Sequence, residues 1–350
     1  QESTISQLKS QAESSTLPNM IFYGPSGTGK TAAADVFSRA ILGESFSANF
    51  KALNIRDIWH MPMTKAKRSV QDLAKLGRNE RSELNEYMSI VYREAKAALK
   101  AKGRTRPPNR SQLLQEAIRF FASTITVTDE KIKILVLDEA DALSHSMQQA
   151  LRRTMELYSD ACRLILITPT LSGWSPAIIS RCSVLKFPLL SEDEVMTHVR
   201  KIAKKENVSI DLDAASAIAR GSEGNLRRAI NLLQITAAAN PTITEDIVYA
   251  HSETPLNRSS REIVSLTIDG SFQDARKIMR SLVAVDGYEP QEVLLAIERD
   301  LVKRPFDPMT LNKVLSRVAE IDHRLTQGKN SFVHLAALLA SIQNYASDLT

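Results

Sequence analysis

Cysteine is scarce in this 350-residue chain: only Cys162 and Cys182 occur, and no C-x-x-C pair is present. That excludes a disulfide framework and a cysteine-built zinc site. The six histidines are scattered without metal-ligand spacing, so they supply no zinc set either. No apolar run approaches the length of a membrane span, and no internal repeat or low-complexity tract stands out. No signal-peptide pattern opens the sequence, although a start at Gln1 leaves room for residues upstream; the expected setting is intracellular. An apolar content of 43% over this length suits a globular protein of two or three domains.

Charge is plentiful but unevenly placed. The net charge is only +5, yet residues 65–110 hold thirteen Lys and Arg against five Asp and Glu. A local excess of this kind suits a polyanion such as nucleic acid. A solvated helical insertion with no partner accounts for it equally well.

The most informative stretch is GPSGTGKT, residues 24–31, directly after the apolar NMIFY. It has the form G-x-x-x-x-G-K-[ST], expected after a strand and at the opening of a helix. Glycines let such a loop fold tightly, so that several backbone N–H groups point at one phosphate. Gly24, Pro25, Ser26, Gly27, Thr28 and Gly29 form the loop; Lys30 reaches the outer phosphates, and the Thr31 hydroxyl holds Mg²⁺. The preceding strand (20–23) and the helix-forming TAAADVFSRA behind it supply the required context, and the motif predicts a nucleoside-triphosphate site.

From about residue 20 to 187 short apolar strands alternate with helical patterns, which predicts a parallel sheet with crossover helices. The clearest strands are MIFY, KIKILVL (131–137) and RLILIT (163–168), and their continuous apolar character marks them as central. Residues 61–110 depart from the alternation as a helix-favouring insertion that closes in the loop GRTRPPNR; Met61 and Met63 beside Trp59 form a small apolar contact. After residue 187 the pattern is all helical. Ser191 and Glu194 form a capping box, and helices follow over about 212–220, 225–239 and 244–250. The segment SETPLNRSS (252–260) is the expected boundary to further amphipathic helices, ending in FVHLAALLASI (332–342).

A second chemical signal is KILVLDEADAL. Its strand ends at Asp138 and Glu139, placing carboxylates at the ligand side of an open α/β sheet. Asp138 would bind Mg²⁺, directly or through water, and Glu139 would orient and deprotonate the water that attacks the γ-phosphate. Alone, an acidic string also starts helices well. Paired with the phosphate loop, it completes a hydrolytic site.

DEADALSHSMQQALRRTMELYSDACRLILI, followed by IISRCSVLKF, resembles the small subunits of replication factor C, the sliding-clamp loader of archaea and eukaryotes within the AAA+ superfamily. ALRRTME (150–156) and SRC (180–182) are the narrow motifs. EGNLRRAINLLQ (223–234) resembles the family's sensor 2 helix, and IDHRLTQGKNSFVHLAALLA (321–340) its collar. The resemblance implies an α/β AAA+ P-loop core with a parallel sheet (1–187, carrying the basic insertion at about 61–110), a small helical lid (188–251) and an all-α C-terminal collar (252–350). It implies ATP and Mg²⁺, a hetero-pentamer with a large subunit, a PCNA-type sliding clamp and primer–template DNA, and no membrane. The location implied is the cytoplasm and nucleoid of an archaeon or the nucleus of a eukaryote. Arg181 matches the arginine finger offered to a neighbouring subunit, and Arg227 the sensor 2 arginine that touches the γ-phosphate in cis. Arg152 and Arg153 lie on the helix bordering the family's DNA chamber, with a subunit-interface or salt-bridge role equally open. Lys96, Lys100, Lys102, Arg104 and Arg106 of the insertion are the expected DNA contacts, with Arg152.

Three departures bear on activity. Pro169 stands where the family places its sensor 1 asparagine, and proline has no side-chain hydrogen bond to offer a lytic water; Thr168 or Thr170 is the available substitute, and slow hydrolysis is expected. The family's LNASDERG reads LNIRDIW here (53–59), retaining Asn54 and Asp57, and the DNA-facing helix resumes at SQLLQEAIRFFAS (111–123). The opening QESTISQLKS matches the family's GQE segment, without the adenine-enclosing residues that precede it. Two other readings stand beside active clamp loading: a weakly hydrolysing subunit that donates Arg181, and another AAA+ DNA machine such as a Holliday-junction helicase or origin-recognition ATPase. No winged-helix pattern occurs at the C-terminus. Cys162 and Cys182 are read as packing residues.

Overall fold

The computed structural model describes residues 2–14, 16–67, 83–124, 132–239, 242–252, 255–328 and 330–347. It divides into two compact units, residues 1–206 with 218–233, and residues 207–217 with 234–350.

The first unit is built on a five-stranded parallel sheet of order β2-β3-β4-β1-β5. The strands are β1 (Asn19–Tyr23), β2 (Phe50–Asn54), β3 (Lys133–Asp138), β4 (Cys162–Thr168) and β5 (Cys182–Lys186). The three strands legible as continuous apolar runs are the three inner ones, because only those are covered on both faces and flanked on both sides. The edge strands β2 and β5, FKALN and CSVLK, are half-polar and carry no recognisable pattern. Alternate residues feed two cores. Met20, Phe22, Ile134, Val136, Ile165 and Ile167 pack with α1 (Glu2–Ala12) and α2 (Lys30–Leu42). Ile21, Leu135, Leu137, Leu164 and Leu166 face the other layer. Phe22 and Leu135 have no exposed surface, and each such burial contributes about 1.5–3 kcal/mol.

The second face is covered from the intervening sequence. After α3 (Phe46–Asn49), α4 (Ile55–His60) and α5 (Met63–Ala66), the insertion contributes α6 (Glu83–Ala101). Met88, Val91, Ala95 and Leu99, at helical spacing, bury one face of α6 in the core, so the insertion is packed rather than merely solvated. Residues 68–82 of the insertion lie outside the described residues. The loop 102–109 follows as expected. Asn109 and Gln112 then form a reciprocal capping box that starts α7 (Arg110–Ser123). Buried Lys133 joins the end of α7 to the start of β3: its ammonium donates to the carbonyls of Phe121 (2.6 Å) and Thr124. α8 (His145–Leu157) follows β3, and α9 (Pro176–Ile179) precedes β5. Cys162 and Cys182 open β4 and β5; burial pushes their thiols up to about 11 and about 12, which removes them from thiolate chemistry near neutral pH. The capping box of Ser191 and Glu194 starts α10 (Glu192–Lys205) as expected.

The all-helical expectation beyond residue 187 needs one correction. A short parallel pair, β6 (Ser209–Ile210) with β7 (Thr242–Ile243), accompanies α11 (Leu212–Ser222), α12 (Leu226–Ala239) and α13 (Glu245–Ser252). Two-residue strands are too short to leave a periodic signal. The boundary expected over 252–260 also contracts, because α14 (Pro255–Ile268) takes up most of it, with Pro255 at a helix start where its missing N–H costs nothing. α14, α15 (Phe272–Ala284), α16 (Pro290–Leu301), α17 (Pro308–Gln327) and α18 (Ser331–Ser347) share one core that includes Ile263, Met279, Ile297, Val314 and Leu338. Among the described residues, no helix is long and apolar enough to cross a membrane.

Candidate nucleotide site

Sheet register brings the chemistry together. Asn54 pairs with Asp138, and Tyr23 with Thr168, so four neighbouring strands end at one level. There the chain opens a cleft of about 580 Å³. The loop after β1 needs its glycines. Gly24 has φ +145°, and a Cβ there would lie 2.0 Å from the carbonyl oxygen of Phe187. Gly27 has φ +77°, and its Cβ would lie 1.8 Å from Asn225 Oδ1. Gly29, at φ 91°, starts α2, whose first turn carries no acidic residue. Backbone donors and the positive end of a thirteen-residue helix are thereby aimed at one anion-sized space.

Lys30 is buried in this loop, with Nζ donating to the carbonyls of Gly24 and Pro25, both at 2.6 Å. Burial lowers its pKa, partly opposed by the carboxylate of Asp138 and reinforced by Arg227. Thr31 Oγ1 donates to Asp138 Oδ2 at 2.8 Å across 107 residues of sequence. A hydroxyl and a carboxylate side by side are hard oxygen donors of the kind that suits Mg²⁺, so the residues present fit that ion.

Glu139 sits one residue past β3 in a left-handed conformation, φ 50° and ψ 42°. A non-glycine residue held there is strained, and such strain concentrates at functional positions. Its amide donates to Asp138 Oδ1 at 2.8 Å, and its carboxylate is half exposed to the cleft. Sequence reasoning missed what holds that carboxylate. Arg56 Nε lies 3.6 Å from Glu139 Oε2, and Arg56 Nη2 lies 2.7 Å from Asp141 Oδ2. Asn54 fixes Arg56 in turn, accepting the amides of Arg56 (2.9 Å) and Asp57 (3.1 Å) as the cap of α4. The signal was in LNIRDIW, where the arginine replaces a serine of the related pattern, but only the fold brings it to Glu139.

Arg227, in the first turn of α12, lines the same cleft. The start of that helix is tied to the phosphate loop, because the Leu226 amide donates to Gly27 O at 3.1 Å. Pro169 also lines the cleft, at the end of β4. Thr168 is no free substitute for the asparagine expected there. It is buried, its hydroxyl donates to Thr170 O (2.9 Å) and it accepts from Trp174 Nε1 (3.3 Å).

Arg181 is not among the residues lining this cleft. Its Nη2 lies 2.7 Å from Glu156 Oε1, and its Nη1 donates to Ala177 O at 2.8 Å. Arg152 contacts the same Glu156 oxygen at 3.0 Å, the salt-bridge alternative left open by the sequence. The two guanidiniums hold the Glu156 carboxyl below its ordinary value, Arg152 contributing most. Lys96 and Lys100 are exposed on α6, and Lys102, Arg104 and Arg106 are exposed in the loop behind it, apart from the nucleotide cleft.

Comparison with known proteins agrees with this geometry. An AAA ATPase domain family matches residues 1–167, an RCF1/5-like AAA+ ATPase lid domain family matches 198–238, and the replication factor C C-terminal domain family matches 255–341. The chain is 30% identical over 341 residues to replication factor C small subunit 1 of Pyrobaculum islandicum, covering 97% of this chain and 88% of that protein. It is 30% identical over 334 residues to the replication factor C small subunit of Methanocella arvoryzae, covering 95% and 88% respectively. A solved structure of the Aeropyrum pernix ORC1 protein in complex with DNA is similar at 18% identity and a TM-score of 0.49, over 91% of this chain and 83% of that one. Phosphate loop, paired carboxylates, lid and helical C-terminal region thus coincide in one chain, which belongs to the replication factor C small-subunit family, with an AAA+ ATPase domain.

Proposed function

We propose that the chain is an ATP-hydrolysing subunit of a clamp loader, which closes a ring of ATPase domains on an open PCNA-type clamp and primer–template DNA. The observation that carries this reading is the Thr31–Asp138 contact beneath the glycine cradle, with Glu139 and Arg227 facing the same cleft. Thr31 and Asp138 would hold Mg²⁺, which would supply charge neutralisation for the bound triphosphate. Lys30 exchanges its two loop carbonyls for phosphate oxygens, Arg227 fixes the outermost phosphate, and Glu139 orients and deprotonates water.

Arg181 acts on a neighbouring protomer's nucleotide, and Glu156 holds its guanidinium before assembly. Charge supplied in trans couples hydrolysis to ring closure, and the closed arrangement is favoured only while the γ-phosphate persists. The basic insertion and Arg152 contact DNA phosphates, which gives binding that falls with salt and has little sequence preference.

A second reading, a weakly hydrolysing subunit that chiefly donates Arg181, is favoured by Pro169 and by the committed hydroxyl of Thr168. Glu139→Gln and Arg181→Ala, placed in this subunit of the assembled complex, separate the two. Active hydrolysis predicts at least a tenfold loss of this site's turnover with Glu139→Gln, measured as phosphate release. If Glu139→Gln leaves complex turnover unchanged while Arg181→Ala abolishes it, the weaker role is correct. Absence of ATP-dependent clamp capture by the wild-type complex would remove both.

A further inference from the structure

A second concavity, of about 690 Å³, lies apart from the nucleotide cleft, between α6 with its following loop, α7 and α8. Its rim carries Lys102, Arg104, Arg119 and Arg153 against a single carboxylate, Glu116. That carboxylate is already spent: Arg119 binds it through two donors, Nη2 at 2.7 Å and Nε at 3.0 Å. Among the described residues, Lys102, Arg104 and Arg153 have no ion-pair partner. Three unneutralised cations from a loop and a helix therefore converge on one trench. The rest of the lining is mostly apolar, including Leu99 and Ala150 beside Gln112, Gln115 and Thr154, and it takes in Tyr158 and Leu157, the latter 67% exposed.

The geometry points to this groove as a binding site for an extended single strand of nucleic acid. Cations beside apolar and aromatic surface match a chain of phosphates carrying flat, stackable bases. A hollow of this size holds a short run of unpaired nucleotides, whose bases are free to lie on its apolar floor. The groove exists because the insertion packs: buried Ala95 and Leu99 set α6 against the core and bring Lys102 and Arg104 into one groove with Arg153. It deepens the DNA-contacting role proposed for the insertion and is independent of the phosphate loop.

The test is fluorescence anisotropy of the full chain with a short labelled oligothymidylate, without nucleotide, across a salt series. Arg104→Glu/Arg153→Glu is compared with Lys201→Glu/Lys204→Glu, an equal charge change on exposed lysines of α10. We expect the groove variant to bind at least tenfold more weakly. Its salt slope should fall by about 1.4, because each phosphate of a single strand that is no longer neutralised lowers the slope by about 0.7. The α10 variant should remain within about twofold of wild type. Equal losses in both variants, equal losses for a blunt duplex, or equally effective competition by polyglutamate would each overturn the site. Arg104→Gln/Arg153→Gln gives the same comparison if charge reversal disturbs folding. Clamp capture by the assembled complex is scored separately, so failure of the groove is distinguishable from failure of the clamp-loading role.

Discussion

Gly27→Ala isolates the tie between the phosphate loop and the helix that carries Arg227. The native residue sits at φ +77°, and an alanine forced to stay there costs about 1–2 kcal/mol. The new methyl also overlaps Asn225 Oδ1, 1.8 Å away, so that side chain must turn. Asn225 caps α12 by accepting the Arg228 amide at 3.1 Å, and losing a cap costs about 0.5–2 kcal/mol. The two effects together come to roughly 1.5–4 kcal/mol. If the loop escapes this cost by leaving its phosphate-binding conformation, affinity falls by roughly 10- to 700-fold, at 1.4 kcal/mol per factor of ten. Titration with a fluorescent ATP analogue reads the loss directly, and thermal melting checks that the fold persists. Adding Asn225→Ser shortens the side chain while keeping a capping hydroxyl, so the double variant should recover to roughly a 5- to 30-fold loss, the backbone strain alone. A folded Gly27→Ala protein that binds within about threefold of wild type would refute the reasoning, as would a double variant no better than the single one.

Two further expectations follow from particular contacts. Arg56→Ala frees the Glu139 carboxylate from a solvent-exposed guanidinium 3.6 Å away, so basal ATP hydrolysis without DNA should rise modestly, as measured by phosphate release; an unchanged or lower rate would show that Arg56 positions Glu139 rather than restrains it. Asp307 caps α17, accepting the amides of Met309 (2.9 Å) and Thr310 (3.1 Å), and the hydrogen bonds around Thr310 lower its pKa. A depressed carboxylate contributes stability that is complete above its unfolded pKa near 4 and is lost as pH falls through the folded value. Asp307→Ala should therefore lower the melting temperature at neutral pH, with the difference shrinking on acidification below pH 4; a gap independent of pH would mean that the cap does not act through its charge.

Local chemistry makes much of this chain legible from its sequence. GPSGTGKT identifies an anion cradle because the required backbone conformations and donors lie within eight consecutive residues. The carboxylates at 138 and 139 are readable because a continuous apolar run must be an inner strand and must end at the ligand side. The inner strands β1, β3 and β4 and the cap at Ser191 announced themselves for the same reason: their signals repeat over a few residues. Edge strands such as FKALN carry half the apolar signal, and β6 and β7 carry almost none. What only the tertiary structure decided are partnerships between distant residues. Arg56 reaches Glu139 through the pairing of β2 with β3, and Asn225 meets Gly27 because α12 begins against the phosphate loop. Glu156 holds Arg181 because α9, which leads into Arg181, packs on α8, and the basic groove forms because α6 buries its apolar face. Motifs are written in neighbouring positions, whereas the charge and shape of a site are sums over elements whose meeting depends on packing of the whole core.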